Sequence, residues 1–187
     1  TLPTGATATF IFTVTNTGSF IASSMSGLGL SAPFRFVGGV YPGTGGDCAL
    51  TLAAAATCQI EVEFSPLATG VQNDTIEISY NDGAAVQTAT RDVTGTGVAP
   101  ALLEISDNPS YNYGTVATGS INLHTFTISN TGGYQATAMA DALALAAPFG
   151  FSGGAYPGAT GNCAATLAAG STCTIEVEYA PVVTNAD

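Results

Sequence analysis

The chain carries two copies of one sequence pattern, separated by the length of a whole domain. Asn16-Thr17-Gly18 returns as Asn130-Thr131-Gly132, and Tyr41-Pro42-Gly43 returns as Tyr156-Pro157-Gly158, at an offset of about 115 positions. Solenoid proteins repeat every 20–45 residues or so, whereas about 100 residues is the size of a small domain. We therefore expect a tandem array of one domain, in which each copy has its own core.

The composition favours strands over helices. Hydrophobic residues make up 46% of the 187 residues, which is enough for two modest cores. Charged residues make up only 8%, and long amphipathic helices depend on them, whereas the abundant threonine and valine favour strands. The composition therefore predicts an all-β protein.

Alternating apolar and polar residues mark the individual strands. Thr7–Thr15 places Phe10 on one face together with the following alternate positions, and Cys58–Phe64 alternates in the same way before Pro66. A third such segment leads through Asn81-Asp82-Gly83 into a strand from Val86 to Thr94, which predicts a hairpin. At about seven short strands per hundred residues, the pattern predicts tandem immunoglobulin-like antiparallel β-sandwiches, with domains at residues 1–99 and 100–187.

The four cysteines form two pairs with identical spacing. Cys48 and Cys58 flank one turn-rich segment, and Cys163 and Cys173 flank the equivalent one. Neither pair has the CxxC spacing or the neighbouring histidine of a zinc site, so we predict two disulfides and no metal or cofactor. Four reduced thiols in a cytosolic protein are the alternative. Even, repeated pairing favours an oxidising, extracellular or cell-surface location instead.

The charge balance excludes two classes of partner. Arg35 and Arg91 are the only cations besides a single histidine, and 13 carboxylates give a formal net charge of -11. Such a chain repels a nucleic-acid backbone or an anionic lipid surface. No apolar run reaches the roughly 20 residues of a membrane helix, so we expect no membrane insertion in this segment.

Two loops are candidates for ligand binding. Tyr41 and Tyr156 each precede Pro-Gly in a turn-rich segment, where an aromatic ring is able to stack on a sugar or pack against neighbouring residues. Packing is the favoured interpretation. A glycan or other cell-surface ligand remains the alternative.

No set of residues indicates catalysis. His124 is the only histidine and occupies the position of Phe10 in the first copy, which predicts a residue of the core or its edge. A lone histidine without a nucleophile and an orienting acid does not make a catalytic triad, so we predict that the chain is not an enzyme.

Acidic pairs and turns are the only candidates for a calcium ion. Side chains two positions apart on a strand share a face, but calcium requires six to eight oxygen ligands, so a solvated acidic face is the favoured interpretation. The residues concerned are Glu61 and Glu63, Glu176 and Glu178, Asp47, and the Asp107-Asn108-Pro109 turn.

One family resembles both copies. The segments Asn130-Thr131-Gly132, Gly161-Asn162-Cys163, Leu167–Cys173, Ile175–Pro181 and Gly95-Thr96-Gly97 resemble the bacterial repeats called choice-of-anchor D. These repeats are similar to the ASH group of immunoglobulin-like domains. The resemblance implies a modular surface or secreted protein and carries no catalytic residues.

The two copies are offset against the ends of the sequence. Ala101–Gly114, which we expect to contain the first strand of the second copy, has no counterpart ahead of Thr1, and the strands after Pro66 have only Val182–Asp187 opposite them. We expect adjacent repeats or neighbouring chains to complete the sandwiches by adding strands. The predicted function is a structural module of a repetitive surface or filament protein. The alternatives are an adhesin or carbohydrate-binding module and an accessory domain of a secreted enzyme.

Overall fold

The structure is a computed structural model that describes residues 1–182. These residues form eleven strands and two 3₁₀ turns, so the described part of the chain is all-β, as predicted. They separate into two compact units, of which the first is Thr1–Val98 and the second begins at Ala99.

The first unit contains two sheets. Its strands are β1 (Leu2–Pro3), β2 (Ala8–Thr15), β3 (Ser23–Gly27), β4 (Phe34–Phe36), β5 (Thr57–Phe64), β6 (Gly70–Asn81) and β7 (Val86–Val98), with a 3₁₀ turn at Val37–Gly39. One sheet has the order β2-β5-β4 and the other β1-β7-β6-β3. All neighbours pair antiparallel except β1 and β7, which pair parallel.

The strands with the clearest alternation build the core of the first unit. Ile60 and Val62 of β5 are at most 2% exposed, and so is Ile76 of β6, which belongs to the other sheet. Met25 and Ile78 extend the same cluster. Full burial of each such side chain contributes roughly 1.5–3 kcal/mol, so this small set dominates the packing energy.

The predicted hairpin joins β6 and β7. The Asp82 carboxylate accepts hydrogen bonds from the amides of Ala84 and Ala85, each at 2.8 Å, and thereby closes the turn. β7 continues past the predicted end at Thr94 to Val98. The absence of a side chain at Gly95 allows this continuation, because a Cβ at that position would lie only 2.4 Å from the Phe64 ring.

The described part of the second unit contains one sheet. Its strands are β8 (Leu103–Ile105), β9 (Asn122–Asn130), β10 (Phe149–Phe151) and β11 (Thr172–Tyr179), in the order β10-β11-β9-β8, with a 3₁₀ turn at Ser152–Gly154. All pairs are antiparallel. Ile128, Ile175 and Val177 pack around the disulfide of this unit.

Candidate functional site

Both cysteine pairs are disulfide-bonded. Cys48 is bonded to Cys58 and Cys163 to Cys173, and all four residues are buried. Each bond holds a turn-rich loop against the strand that starts beside the second cysteine. Because the sulfurs are oxidised, they are neither thiolate nucleophiles nor zinc ligands.

Asp47 lies beside the first disulfide and has a structural partner. Its carboxylate and the sulfurs of Cys48 and Cys58 lie within 4.8 Å of one another. Asp47 Oδ1 accepts a hydrogen bond from the Gln59 amide at 2.5 Å. In the second unit Asn162, a neutral residue, accepts the equivalent bond from Thr174 at 2.7 Å. Because the uncharged Asn162 accepts the same hydrogen bond, the side chain at this position serves to hold the backbone of the neighbouring strand.

The two Asn-Thr-Gly motifs place an asparagine among backbone groups. Asn130 is 1% exposed, and its Nδ2 donates to the carbonyls of Tyr134 and Leu167 over 2.8 and 3.1 Å. Its Oδ1 accepts from the amides of Gly132 and Leu102, each at 3.1 Å. The sequence identifies this motif only as a part of the repeat. The repetition of the motif in both copies is the signal that could have indicated this buried role.

Asn16 repeats most of these contacts in the first unit. Its Nδ2 donates to the carbonyls of Phe20 and Leu52 over 2.8 and 2.9 Å, and its Oδ1 accepts from the Gly18 amide at 3.0 Å. The one contact without a counterpart in the first unit is that from Leu102, which belongs to the segment leading into β8. Both asparagines therefore tie a strand end to a neighbouring loop.

The tyrosines of the candidate loops pack into the two cores. The ring of Tyr41 meets Phe36 edge to face with centroids 5.6 Å apart, and Tyr156 meets Phe151 in the same way at 5.5 Å. Gly27 makes room, because a Cβ there would lie 2.6 Å from the Tyr41 ring. Burial raises the pKa of both tyrosine hydroxyls. The Tyr41 hydroxyl is buried and has no hydrogen-bond partner among residues 1–182.

The Pro-Gly that follows each tyrosine lies along the neighbouring strand. The Pro42 carbonyl accepts a hydrogen bond from the Glu61 amide at 2.8 Å, and Pro157 accepts from Glu176 at the same distance. Gly43 has φ +93°, and a Cβ there would lie 2.3 Å from the Glu61 carbonyl oxygen. Only glycine fits this close approach at a positive φ.

Two of the four paired glutamates are buried, which corrects the prediction of a solvated acidic face. Glu63 and Glu176 are each 7% exposed. Glu63 Oε1 lies 2.6 Å from Arg35 Nη2. The partner of Glu63 is thus a residue of the edge strand β4, whereas Glu176 is contacted by Ser152 and Thr160 from the segment that follows β10. Alternation along a strand cannot reveal such contacts.

The remaining glutamate contacts hold the Tyr-Pro-Gly loops. Glu61 Oε2 accepts from the Gly45 amide at 2.8 Å, and Glu176 Oε1 accepts from Thr160 Oγ1 at 2.6 Å. The Ser152 hydroxyl donates to Glu176 Oε2, and these hydroxyl hydrogen bonds hold the pKa of Glu176 below its usual range. Both carboxylates thus hold a loop against the strand that carries them.

His124 belongs to an aromatic cluster at the edge of the core. Its ring stacks on Tyr111 with centroids 3.6 Å apart, and its Nε2 lies 3.1 Å from Asp107 Oδ2. Hydrogen bonds from His124 and then Ser106 lower the pKa of Asp107. The predicted core-edge position of His124 agrees with a side chain that is 23% exposed. Asp107, considered above as an ion ligand, instead faces the histidine.

Strand β2 is an edge strand of its sheet in the described part of the first unit. Among the described residues β2 pairs only with β5, and Phe10 is 53% exposed although it alternates with the core residues. A cavity of about 310 Å³ is lined by Phe10, Phe34 and Phe64 of this sheet and by Arg91 of the other sheet. Two further cavities, of about 460 and 510 Å³, lie along the same strand.

Among residues 1–182, no helix has the length and apolar character needed to cross a membrane. No protein-family model and no curated protein matches the chain. A solved structure of a protein of unknown function from Porphyromonas gingivalis W83 is similar to it at 10% identity, with a TM-score of 0.40. The similarity covers 96% of this chain and 77% of that one. This similarity gives no information about the function of the chain.

Proposed function

We propose that this chain is a non-enzymatic structural part of a repetitive extracellular surface or filament protein. In this proposal its units are tandem immunoglobulin-like β-sandwiches of the choice-of-anchor D kind. The observation that carries the proposal is the use of the side chains shared by both units. The asparagines, tyrosines, cysteines and glutamates described above hold backbone or fill the cores. The side chains that the two units share therefore serve the fold of each unit.

The equivalent contacts of the two units support tandem repetition. Ala22 forms an isolated bridge with Leu52, and Ala136 forms one with Leu167, and in each case the leucine lies in the loop that the disulfide closes. The pairing of the long central strands also agrees. Phe12 of β2 lies opposite Ile60 of β5, and Phe126 of β9 lies opposite Ile175 of β11.

The chemistry of the chain suits an oxidising exterior. Disulfides persist in secreted and surface proteins, and each unit has one. A net charge of -11 makes indiscriminate association between neighbouring molecules unfavourable. Contacts between neighbours therefore need a specific surface, and the partners we propose are adjacent repeats or neighbouring copies that add strands to open edges.

An adhesin or carbohydrate-binding module is the second candidate, but the tyrosine loops give it little support. The rings of Tyr41 and Tyr156 pack against phenylalanines and contact the two hydrophobic cores. A ring that stacks on a sugar needs an accessible face. Both rings are partly buried, so only part of each is accessible to a sugar.

Electron microscopy of material recovered without denaturation tests the structural function. Continuous filaments, with an axial repeat matching one or two sandwiches, are the expected result. Dispersed particles that bind glycans would overturn it in favour of the adhesin. If glycans bind, Tyr41→Ala tests whether the ring of this tyrosine contributes to binding. Tyr41→Phe is the matched control, because it keeps the ring and removes only a hydroxyl that has no partner among the described residues.

A further inference from the structure

Residues 73–75 form a motif that the proposed function does not use. Asn73-Asp74-Thr75 has the form Asn-X-Ser/Thr with X other than proline, which is the acceptor for N-linked glycans in secreted proteins. It is the only segment of this form in the sequence, since Asn108-Pro109-Ser110 has the excluded proline. A motif of three residues arises easily by chance, so its place in the structure has to decide whether it is an acceptor.

Asn73 lies on the outer face of the sheet β1-β7-β6-β3. On strand β6, Ile76 and Ile78 are buried in the core at 2% and 4% exposure. Successive side chains of a strand point to opposite faces, so the odd-numbered residues of β6 point away from the core. Asn73 is exposed, and it lies directly opposite Thr94 of β7, which is exposed too. The side chain of Asn73 is thus on the solvent side of the first unit.

The outer face of β6 and β7 is polar around Asn73. The directly opposed outward pairs are Asn73 with Thr94, Thr75 with Asp92, Glu77 with Thr90, and Ser79 with Thr88. None of these is an apolar residue. Packing another protein against this face would remove many polar groups from water, which is costly unless each finds a new hydrogen bond. A hydrated sugar chain leaves these groups in contact with water.

The other asparagines show what distinguishes Asn73. Six of them use their side chains to hold backbone groups: Asn16, Asn81, Asn112, Asn122, Asn130 and Asn162. Among residues 1–182, the side chains of Asn73 and Asn108 make no hydrogen bond. Of these two, Asn73 is the one whose motif lacks proline. Its amide nitrogen is therefore free to carry a covalent attachment without the loss of a contact of the fold.

There is space for a sugar beside Asn73. A cavity of about 410 Å³ is lined by Asn73 and Thr94, together with Asp74, Thr75, Asp92 and Val93. The Asp92 carboxylate and the threonine hydroxyls are hydrogen-bonding groups that match the hydroxyls of a sugar. The first sugar of a glycan on Asn73 would thus meet polar groups and no apolar obstruction from the opposite strand.

We propose that Asn73 is an N-glycosylation site, which carries an oligosaccharide on the outer face of β6 and β7. The donor is an oligosaccharide whose reducing-end sugar is linked to a lipid diphosphate. The anomeric carbon of that sugar forms a bond to Asn73 Nδ2, and the amide loses one proton. The bond from this carbon to the diphosphate breaks, and its electron pair leaves with the diphosphate oxygen. The inference rests on the proposed function in one respect, the extracellular location.

The hydrogen bonds of the folded unit indicate when the transfer takes place. The hydroxyl of Thr75, which the motif requires, donates to Asp92 Oδ1 at 2.8 Å in the folded unit. The backbone around Asn73 is paired with β7, with Gln72 opposite Gly95 and Asp74 opposite Val93. A transferase that binds the motif as a separate segment therefore needs β6 before it pairs with β7. We expect the glycan to be added to the chain before the first unit folds.

A glycan on Asn73 would restrict which surfaces join neighbouring molecules. N-linked glycans are bulky and solubilising. One attached at this position would shield the outer face of β6 and β7 from other proteins. Contacts between neighbouring copies would then be made by other surfaces of the unit, such as strand edges.

Peptide mapping of the native protein tests the site. Cleavage after Arg35 and Arg91 separates residues 36–91, which contain Asn73, from residues 92–187, which contain Asn108. We expect the mass of a glycan on the first peptide and none on the second. Release by a peptide N-glycosidase in heavy-oxygen water should leave a labelled aspartate at position 73. A native protein in which Asn73 carries no glycan would overturn the proposal.

Variants produced in the cells that make the native protein test the motif. Asn73→Gln and Thr75→Ala should each abolish the glycan, whereas Thr75→Ser should retain it because serine also satisfies the motif. Thr94→Ala is the matched control, since Thr94 lies opposite Asn73 but outside the motif. It should leave the glycan unchanged. Sugar that remains on residues 36–91 after Asn73→Gln would be attached to hydroxyl groups, and would overturn the proposal.

Failure of this inference is separable from failure of the structural function. Native filaments in which Asn73 is unmodified would leave the structural function standing and overturn only the glycan. Dispersed particles that carry a glycan on Asn73 would support the modification and overturn the filament.

Discussion

Thr160 donates a hydrogen bond from Oγ1 to Glu176 Oε1 over 2.6 Å, so that a strand carboxylate holds the loop of Tyr156 in place. Ser152 donates to the other carboxylate oxygen. In the first unit Glu61 holds the equivalent loop through the Gly45 amide at 2.8 Å. The loop that the sequence suggests as a ligand site is therefore fastened by the strand beneath it.

The Glu176 contacts should make stability depend on pH. Hydrogen bonds from Ser152 and Thr160 lower the pKa of Glu176 in the folded state. A carboxylate with a lowered folded pKa stabilises the fold above its unfolded pKa, and this contribution disappears as the pH falls through the folded value. Glu176→Gln should thus destabilise the protein most near neutral pH, and the difference from the wild type should shrink on acidification. Urea unfolding at several pH values measures it.

Glu178→Gln is the control for this prediction. Glu178 lies on the same strand and is half-buried, but it accepts no comparable pair of hydroxyl hydrogen bonds among the described residues. Its substitution should not reproduce the pH dependence. If both variants show the same profile, the hydroxyl contacts are not its cause.

Removal of either disulfide should destabilise its own unit. Each bond closes a loop with a sequence separation of 10, and a loop of that size contributes about 2–3 kcal/mol by the loop-entropy estimate. The double substitutions are Cys48→Ser with Cys58→Ser, and Cys163→Ser with Cys173→Ser. Hydrogen exchange followed separately in the two units should show faster opening only in the unit that lost its bond. Equal loss in both units would contradict this expectation.

Gly43 should be far less tolerant of substitution than Gly39. Both have positive φ, so alanine costs about 1–2 kcal/mol at either position for the backbone conformation alone. A Cβ at Gly43 would also lie 2.3 Å from the Glu61 carbonyl oxygen, whereas a Cβ at Gly39 meets nothing within 4 Å. Gly43→Ala should therefore lose about 1–3 kcal/mol more than Gly39→Ala in urea unfolding. Similar losses would mean that the loop shifts to relieve the contact.

Asn130→Ala should be among the most destabilising polar substitutions. It leaves the Tyr134 carbonyl and the amides of Gly132 and Leu102 without their side-chain partner, and an unsatisfied buried group costs about 1–3 kcal/mol. Asn122→Ala, on the same strand, removes one exposed hydrogen bond to Tyr113 and should change stability by about 0.5 kcal/mol or less. Thermal unfolding of both variants compares the two losses.

Periodic strands could be predicted from the sequence, whereas the contacts between segments could not. Alternation identifies Cys58–Phe64 and its buried residues because one face of that strand meets the core. The segments after β4 and β10 have no period, and their course is fixed by close approaches such as Gly43 to Glu61. Spacing alone cannot show that a later loop returns to cover an earlier strand.

The edge of the aromatic cluster illustrates the same limit. The sequence places His124 in phase with core residues, but it does not show that Tyr111 and Asp107 both meet that ring. Tyr111 and Asp107 belong to a segment without periodicity, whereas His124 belongs to the strand β9. The position of His124 was predictable, and its partners were not.

The local span of each disulfide sets how this protein would respond to being pulled end to end. The bond withholds only the ten or so residues of its own loop from extension, which is about 35 Å of contour length. The rest of a unit of roughly a hundred residues remains free to unravel once its strands part. Oxidation would shorten the fully stretched chain slightly, and the resistance of the first unit to rupture would depend on the shear of the parallel pairing between β1 and β7, which joins its two ends.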